Sequence, residues 1–461
     1  MLTAINAIKL ILLITLGVLY LAGLGWLIIG PLLHGSLINR KKEIPRFQEI
    51  SLMMISGLII NYGITITLHS LKTSMIVGGI LAALGIICFQ VAVIPSFKQK
   101  SLSLNSFYKS GGIVLVCCLI LVPIMTIPLK DWDALSIWFL HAKMIYAAGT
   151  FSQFTGWQHP SVLFSHVDYP NLVPALAAQI TYLMGYWNEY LPKLSLFFVL
   201  IPAIMLLFSF FRRSFSFLFL ILFIPFSFAS RLSDGYMDGY LAMFFALSML
   251  FLGKYYKENK PIDLTVSVFC LFPLLYLKNE GSLAVLAGIC AVLFVLLFNK
   301  NKSNLQNFFR TYWKLFLFML VLVIPFLLWN FYKRQWGLTN DLELRSSSTF
   351  VRLMDRLNDG SYKLILDNTS YELQNGLMLL GILVAASFAL KIRLPKEILP
   401  VIIGATVYCL GIMAVYLITP YDLEWHLHQS VYRTLLTTNT GIYIASYYLV
   451  NSLEQNEDKR T

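Results

Sequence analysis

A chain of 461 residues of which 58% are hydrophobic and only 13% charged, with a mean hydropathy of +0.71, is too apolar for a soluble domain and belongs in a bilayer. Its net charge of +12 does not indicate nucleic acid, because the basic residues fall in short clusters between apolar runs and form no continuous face. The six cysteines (Cys88, Cys117, Cys118, Cys270, Cys290 and Cys409) lie inside those runs without metal-type spacing and are read as small core residues.

About fourteen apolar runs are long enough to cross the roughly 30 Å of hydrocarbon in a bilayer. The expected fold is therefore all-α, a polytopic membrane helix bundle of about 13 to 14 helices, with short interfacial helices in the first and a late outer loop. In chain order, the run 8–33 lacks a charged leader and is too long for a signal-peptide core, so it is expected to be retained. Runs 50–71 and 74–95 complete an N-terminal membrane unit over 1–110, whose role the sequence does not specify. The basic stretches "NRKKEIPRF" (39–47) and "SFKQKSLSLNSFYKS" (96–110) prefer the cytoplasm, which puts the N-terminus and the segment after run 111–129 outside.

That outer segment, loop one over 130–170, opens with "KDWDALSIWFLHAKMIY", an unusual concentration of acids and aromatics where a membrane helix ends. Runs 171–187, 191–211 and 214–229 follow. Three crossings would place loop one and the turn at 230–238 on opposite faces. Run 171–187, with Pro170 and Pro174 at its start and "GYWNEYLP" at its end, is expected to be re-entrant or interfacial. Runs 236–253, 262–277, 281–298, 312–332, 373–390, 398–419 and 432–450 complete a module over 111–450, and 451–461 is a cytoplasmic tail. A late outer loop, 333–372, is rich in Ser, Asp and Arg and is expected to form short helices without a core of its own.

With this orientation the basic clusters lie inside and the carboxylates collect outside. Loop one carries Asp131, Asp133 and Asp168, and the turn "DGYMDGYLA" carries Asp234 and Asp238. "LKNEG" brings Lys278 and Glu280, and "TPYDLEWHLHQSVYR" brings Trp425, His426 and Arg433. Ionisable groups at helix ends cost several kcal/mol if buried unpaired, so four such clusters on one face suggest a shared site. A carboxylate within hydrogen-bond reach can deprotonate a hydroxyl, and Arg or Lys can stabilise a departing phosphate. Trp132, Trp138, Trp157 and Trp425 suit the apolar face of a sugar or the headgroup belt.

"DWDALSIW" after a membrane helix, followed by "DYPNL", resembles the opening of the GT-C superfamily of membrane glycosyltransferases, which use polyprenyl-phosphate-linked sugars. The chain is most similar to bacterial members with a "WDA" motif (Trp132-Asp133-Ala134), a "YP" motif (Tyr169-Pro170), a "GYxD" turn (Gly235 to Asp238), a "K-x-EG" turn (Lys278 to Gly281) and a late "DLEWHL…S…R" element (Asp422 to Arg433). The resemblance spans about residues 112 to 450 and rests on the order and placement of short motifs.

The resemblance implies an inverting transfer of a sugar from a polyprenyl-phosphate donor to a hydroxyl of a glycan, lipid or protein, on the extracytoplasmic face of a bacterial inner or plasma membrane. It implies a loop-one Asp as catalytic base. Asp131 and Asp133 both qualify, because Trp132 separates two acids that stand adjacent in many members. Lys278 and Arg433 would hold the phosphate, and Asp168 and Asp238 would orient hydroxyls. Tyr169, Trp138, Glu280, Trp425 and His426 would complete the substrate site. No cofactor is required, although paired outer carboxylates are able to hold one divalent ion. The alternatives are a transporter or lipid flippase, and a polysaccharide polymerase or ligase using Arg345, Arg352 and Arg356 of the late loop.

Overall fold

The computed structural model describes residues 4–34, 45–93, 104–212, 214–298, 305–340, 342 and 348–457. The chain is an all-α polytopic bundle. Among the described residues the only extended pairing is an isolated bridge between Ser70 and Thr150. Ten helices among the described residues are long and apolar enough to cross a membrane.

Three of them form the N-terminal unit: α1 (Ala4–His34), α2 (Arg46–Leu68) and α3 (Leu71–Val93). Small residues let these helices approach to backbone contact, since a Cβ on Gly25 would overlap the Met53 carbonyl and one on Gly57 that of Leu21. The turn between α2 and α3 has a direct task. Its His69 and Ser70 pair with Thr150 and Phe151 in the middle of loop one, through Leu71 N–H to Gly149 O (3.0 Å) and Thr150 Oγ1 to His69 O (2.8 Å). The N-terminal unit is thus a scaffold for loop one.

After α4 (Leu104–Thr126), loop one turns through a π-helical segment (Ala134–Trp138) into α5 (Phe139–Ala148), then reaches α6 (Leu172–Met184) and α7 (Leu194–Leu207). The 13 residues of α6 span only about 20 Å, too short for the hydrocarbon layer. The Asn171 N–H and the Gln179 amide, eight residues apart, both land on the Asn61–Thr65 turn of α2, so α6 crosses α2 and does not run beside it. Lys193 at the start of α7 donates to the Ile127 carbonyl just past α4 (2.6 Å), so α4 ends and α7 begins at one end of the bundle. Run 171–187 accordingly folds as the non-spanning element.

The chain continues through α8 (Phe215–Phe228), α9 (Asp238–Glu258), α10 (Pro261–Leu271), α11 (Leu274–Leu277) and α12 (Gly281–Phe298). The run 262–277 is broken at Phe272-Pro273, where proline removes an amide from the helical ladder. Then come α13 (Leu305–Gln335), α14 (Ser348–Asn358), α15 (Tyr362–Ala389), α16 (Ile398–Ile418), α17 (Leu423–Thr434) and α18 (Leu436–Glu457). The late loop is shorter than the sequence suggests. The polar residues 362–372 add three turns to α15 beyond its apolar run, because a helix end in the headgroup zone tolerates polar side chains on all faces.

Segments α8, α10–α11 and α18 also run from end to end. Phe215 and Ser216 meet Glu454, while Arg231 lies beside Tyr432; Asp263 meets Lys254, while Lys278 meets Asp238. With the ten long helices they make thirteen end-to-end segments among the described residues, an odd number that leaves the start of α1 and the end of α18 at opposite ends.

Candidate functional site

Four distant stretches of sequence converge at one end of the bundle. Asp133 sits on the π-helical turn, whose i to i+5 bond from Phe139 N–H to Ala134 O widens the helix just after the acid, a distortion frequent at functional sites. Arg433 comes from the last turn of α17, Asp238 opens α9, and Lys278 with Glu280 fills the turn between α11 and α12.

Their charged atoms form one chain of contacts. Arg433 Nη1 lies 2.5 Å from Asp133 Oδ2 and 3.9 Å from Asp238 Oδ2. Lys278 Nζ lies 3.0 Å from Asp238 Oδ1 and 3.1 Å from Glu280 Oε1. The five side chains are between 6% and 21% exposed, buried enough that each charge depends on the others. Burial alone would lower the Lys278 ammonium, but Asp238 and Glu280 more than offset it and hold it above its ordinary value. Arg433 is likewise held up against burial by Asp238 and Asp133. Both cations stay charged. Among the described residues the Arg433 Nε and one oxygen of Glu280 are buried without hydrogen-bond partners, donor and acceptor capacity left open.

Asp168 joins the same place by a different route. One carboxylate oxygen accepts from Asn279 and from Asn340, both at 2.8 Å, and its carbonyl accepts from Trp329 Nε1 at 3.2 Å. Asn279 lies between Lys278 and Glu280, so the "KNE" turn binds Asp238 with one residue and Asp168 with the next. Tyr169 stacks on His166 (4.9 Å) and leans on Trp138 (5.6 Å), forming an aromatic wall beside Asp168. Trp138 is buried, and its Nε1 has no partner among the described residues.

A second layer surrounds Arg433. Its guanidinium lies 4.6 Å from the centre of the Tyr236 ring, and Arg231 lies 4.9 Å from the same ring, so Tyr236 links two guanidinium groups. Arg231 also pairs with Asp234 at 2.9 Å. Burial pushes the Asp234 carboxyl up to about 6, against the opposing pull of the Tyr236 amide and Arg231. Asp131 acts on Asp234 through its charge, while its own carboxylate makes no hydrogen bond or ion pair among the described residues. The two loop-one acids therefore face different surroundings: Asp133 is held by Arg433, and Asp131 is not held.

Gly235, at φ +92°, draws these turns together. A Cβ there would come within 2.7 Å of Ala134 Cβ, beside Asp133. Only glycine satisfies both the backbone angle and the space.

The remaining expected positions are farther out. His426 packs edge-on against Tyr416 (5.0 Å) and Tyr421 (5.4 Å), two turns of α17 before Arg433. Trp425 is exposed and tilted against Tyr421. In the late loop, Arg352 and Arg356 donate to the carbonyls of Ile418 and Tyr416 at the end of α16, where they complement the helix dipole, and Arg356 also to that of Tyr421 in the link beyond it; Arg345 lies outside the described residues. His141 is a core residue, bonded to Asn171 and Ser165 and lowered by burial to about 4, hence neutral.

Sequence reasoning did not single out Arg231, Tyr236, Asn279 or Asn340. The first three were within reach, lying within three residues of flagged acids, whereas Asn340 sits in a loop and is brought in by tertiary packing. Among the described residues no three of His, Cys, Asp and Glu form a metal-holding group, and Lys278 and Arg433 fill the spaces between carboxylates. No family model, curated protein or solved structure matches this chain.

Proposed function

We propose that the protein is a GT-C-like glycosyltransferase, moving a sugar from a polyprenyl-phosphate donor to an acceptor hydroxyl at the end of the bundle that holds Asp133. The observation that carries this reading is the buried chain Asp133, Arg433, Asp238, Lys278 and Glu280, built from four separate parts of the sequence. Two permanently charged cations beside several carboxylates suit a reaction in which a proton leaves one substrate and a phosphate charge develops on the other.

In this mechanism the acceptor oxygen attacks the anomeric carbon from the face opposite the phosphate. The bond from that carbon to the phosphate oxygen breaks, its electron pair stays on the phosphate, and the configuration inverts. The hydroxyl proton passes to a loop-one carboxylate, Asp131 or Asp133. Arg433 and Lys278 balance the phosphate charge, Asp238 and Asp168 orient hydroxyls, and Trp138 with Tyr169 offers a sugar an apolar face. Glu280, His426 and the exposed Trp425 would border the donor. The distribution of Lys and Arg favours an extracytoplasmic placement of this end, and the resemblance implies a bacterial inner or plasma membrane.

The test supplies purified protein in lipid nanodiscs with a panel of polyprenyl-phosphate hexoses and pentoses and measures release of polyprenyl phosphate with candidate acceptors. Turnover that disappears in both Asp238→Asn and Arg433→Gln supports the reading. A wild-type protein inert towards every donor overturns it. A carrier is the second reading, favoured by the break at Phe272-Pro273, since interrupted helices line many transport sites.

A further inference from the structure

The end of the bundle opposite Asp133 holds a cleft of about 270 Å³, bounded by the link after α7, the last turns of α9 and α18, and the start of α16. Its walls carry Arg212, Lys254, Lys257 and Lys260 against Glu258 and Glu397. Lys254 pairs with the buried Asp263 behind the wall (2.9 Å), Lys257 with Glu397 (2.7 Å), and Lys260 with Glu258. Glu454 also lies nearby, but its oxygens accept from the amides of Phe215 and Ser216. Lys109 adds positive charge from α4.

Two observations show capacity beyond this internal pairing. Among the described residues Arg212 acts on Glu454 through its charge but makes no ion pair, and the Ser209 hydroxyl, which lines the cleft, is buried without a hydrogen-bond partner. Each lysine ammonium also has three donors, of which one carboxylate oxygen uses only one. The cleft thus presents an unpaired fork, several ammonium donors and an idle hydroxyl, in a space large enough for a small polar group.

We propose that this cleft binds a phosphate monoester, carried by a lipid headgroup or free in solution. A tetrahedral anion with three terminal oxygens can accept from Arg212 in two-pronged fashion while the lysines and Ser209 take the remaining lone pairs. A planar carboxylate offers too few acceptors for this donor set. The site is separate from the one at Asp133 and does not depend on the proposed activity. Asp238 and Lys257 are 19 residues apart on α9, which puts about 28 Å between the two ends.

The full chain is placed in phosphatidylcholine nanodiscs and its thermal unfolding midpoint followed under three conditions: no addition, phosphatidic acid in the disc, and glycerol 3-phosphate in the buffer. A rise with phosphatidic acid alone identifies a lipid headgroup as ligand, and a rise with glycerol 3-phosphate identifies a soluble one. In either case the double substitution Arg212→Gln/Lys260→Gln should weaken the apparent affinity by about tenfold or more. Arg212→Lys/Lys260→Arg, which keeps the charges, should retain most of it. Lys143→Gln, at the other end, controls for net charge and should change nothing. Absence of a rise with either phosphate, or a rise undiminished in the Gln double variant, overturns the proposal.

Discussion

Arg433 Nη1 and Asp133 Oδ2 lie 2.5 Å apart although 300 residues separate them in the chain, and Arg433 also reaches towards Asp238. Removing the guanidinium would leave two buried carboxylates with less compensation. Breaking a buried pair from one side typically costs about 3 to 5 kcal/mol. Arg433→Met should therefore lower the unfolding midpoint well below that of Asp133→Asn, which leaves Arg433 with Asp238. Equal midpoints for the two variants would show that the pair does not govern this end of the fold.

Asp131 and Asp133 differ in surroundings, and their roles can be separated. Under the proposed sugar transfer, an Asp133 engaged by Arg433 would be freed when a donor phosphate competes for the guanidinium, so donor binding and base release would become one event. If Asp133 is the base, Asp133→Asn should reduce turnover by about a hundredfold or more while Asp131→Asn stays within about tenfold. The reverse pattern assigns the base to Asp131. Initial rates of polyprenyl phosphate release under saturating donor read this directly.

The Asp234 carboxyl, raised to about 6 by burial, gives the protein a pH dependence of known sign. A carboxyl whose folded value exceeds its unfolded one binds its proton more tightly in the folded state. The stability it contributes is complete below about pH 4 and lost as pH rises through about 6. The loss is on the order of 1 to 2 kcal/mol after allowing for contact with water. Thermal midpoints of wild type and Asp234→Asn between pH 4 and 7 should show the advantage of the wild type shrinking as pH rises. A constant difference would mean that Asp234 does not titrate there.

Gly235→Ala combines a left-handed backbone angle with a Cβ pressed against Ala134. The strain should cost about 1 to 3 kcal/mol and shift the turn that carries Asp133. The variant should lose activity more steeply than stability. A fully active Gly235→Ala would show that the two turns are not held in register by this contact.

Much of this architecture is written in the sequence because a bilayer enforces simple rules. The apolar runs had to become helices, and the parity of crossings required one of three to stay out, with Pro170, Pro174 and the polar "GYWNEYLP" end pointing to 171–187, which folds as the short α6 lying across α2. The convergence of Asp133, Asp238, Lys278 and Arg433 was foreshadowed by their common placement at helix ends, since buried charges need one another. What local pattern does not encode is pairing. That Asp133 takes Arg433 while Asp131 acts on Asp234 only through its charge, and that Asp168 is clamped by Asn279 and Asn340, follows from long-range packing. The purpose of the N-terminal helices was illegible for the same reason, since only the fold puts their His69 turn against Thr150.

Trp138 poses the sharpest question at the aromatic wall. Its ring is buried against Tyr169, yet its Nε1 donates to nothing among the described residues. An indole N–H kept dry and unpaired costs free energy that the fold itself does not recover, about 1 to 3 kcal/mol by analogy with other orphaned donors. Trp138→Phe removes the donor, keeps an aromatic ring and leaves a modest void. If the N–H exists only to fill space with the indole, the variant should lose stability from the void and keep its donor KM. If the N–H is reserved for a substrate oxygen, stability should fall little, because an unsatisfied group has gone, and KM should rise by about tenfold with kcat less affected. The second outcome is the one expected here, and steady-state kinetics paired with a thermal melt on the same preparation distinguishes them.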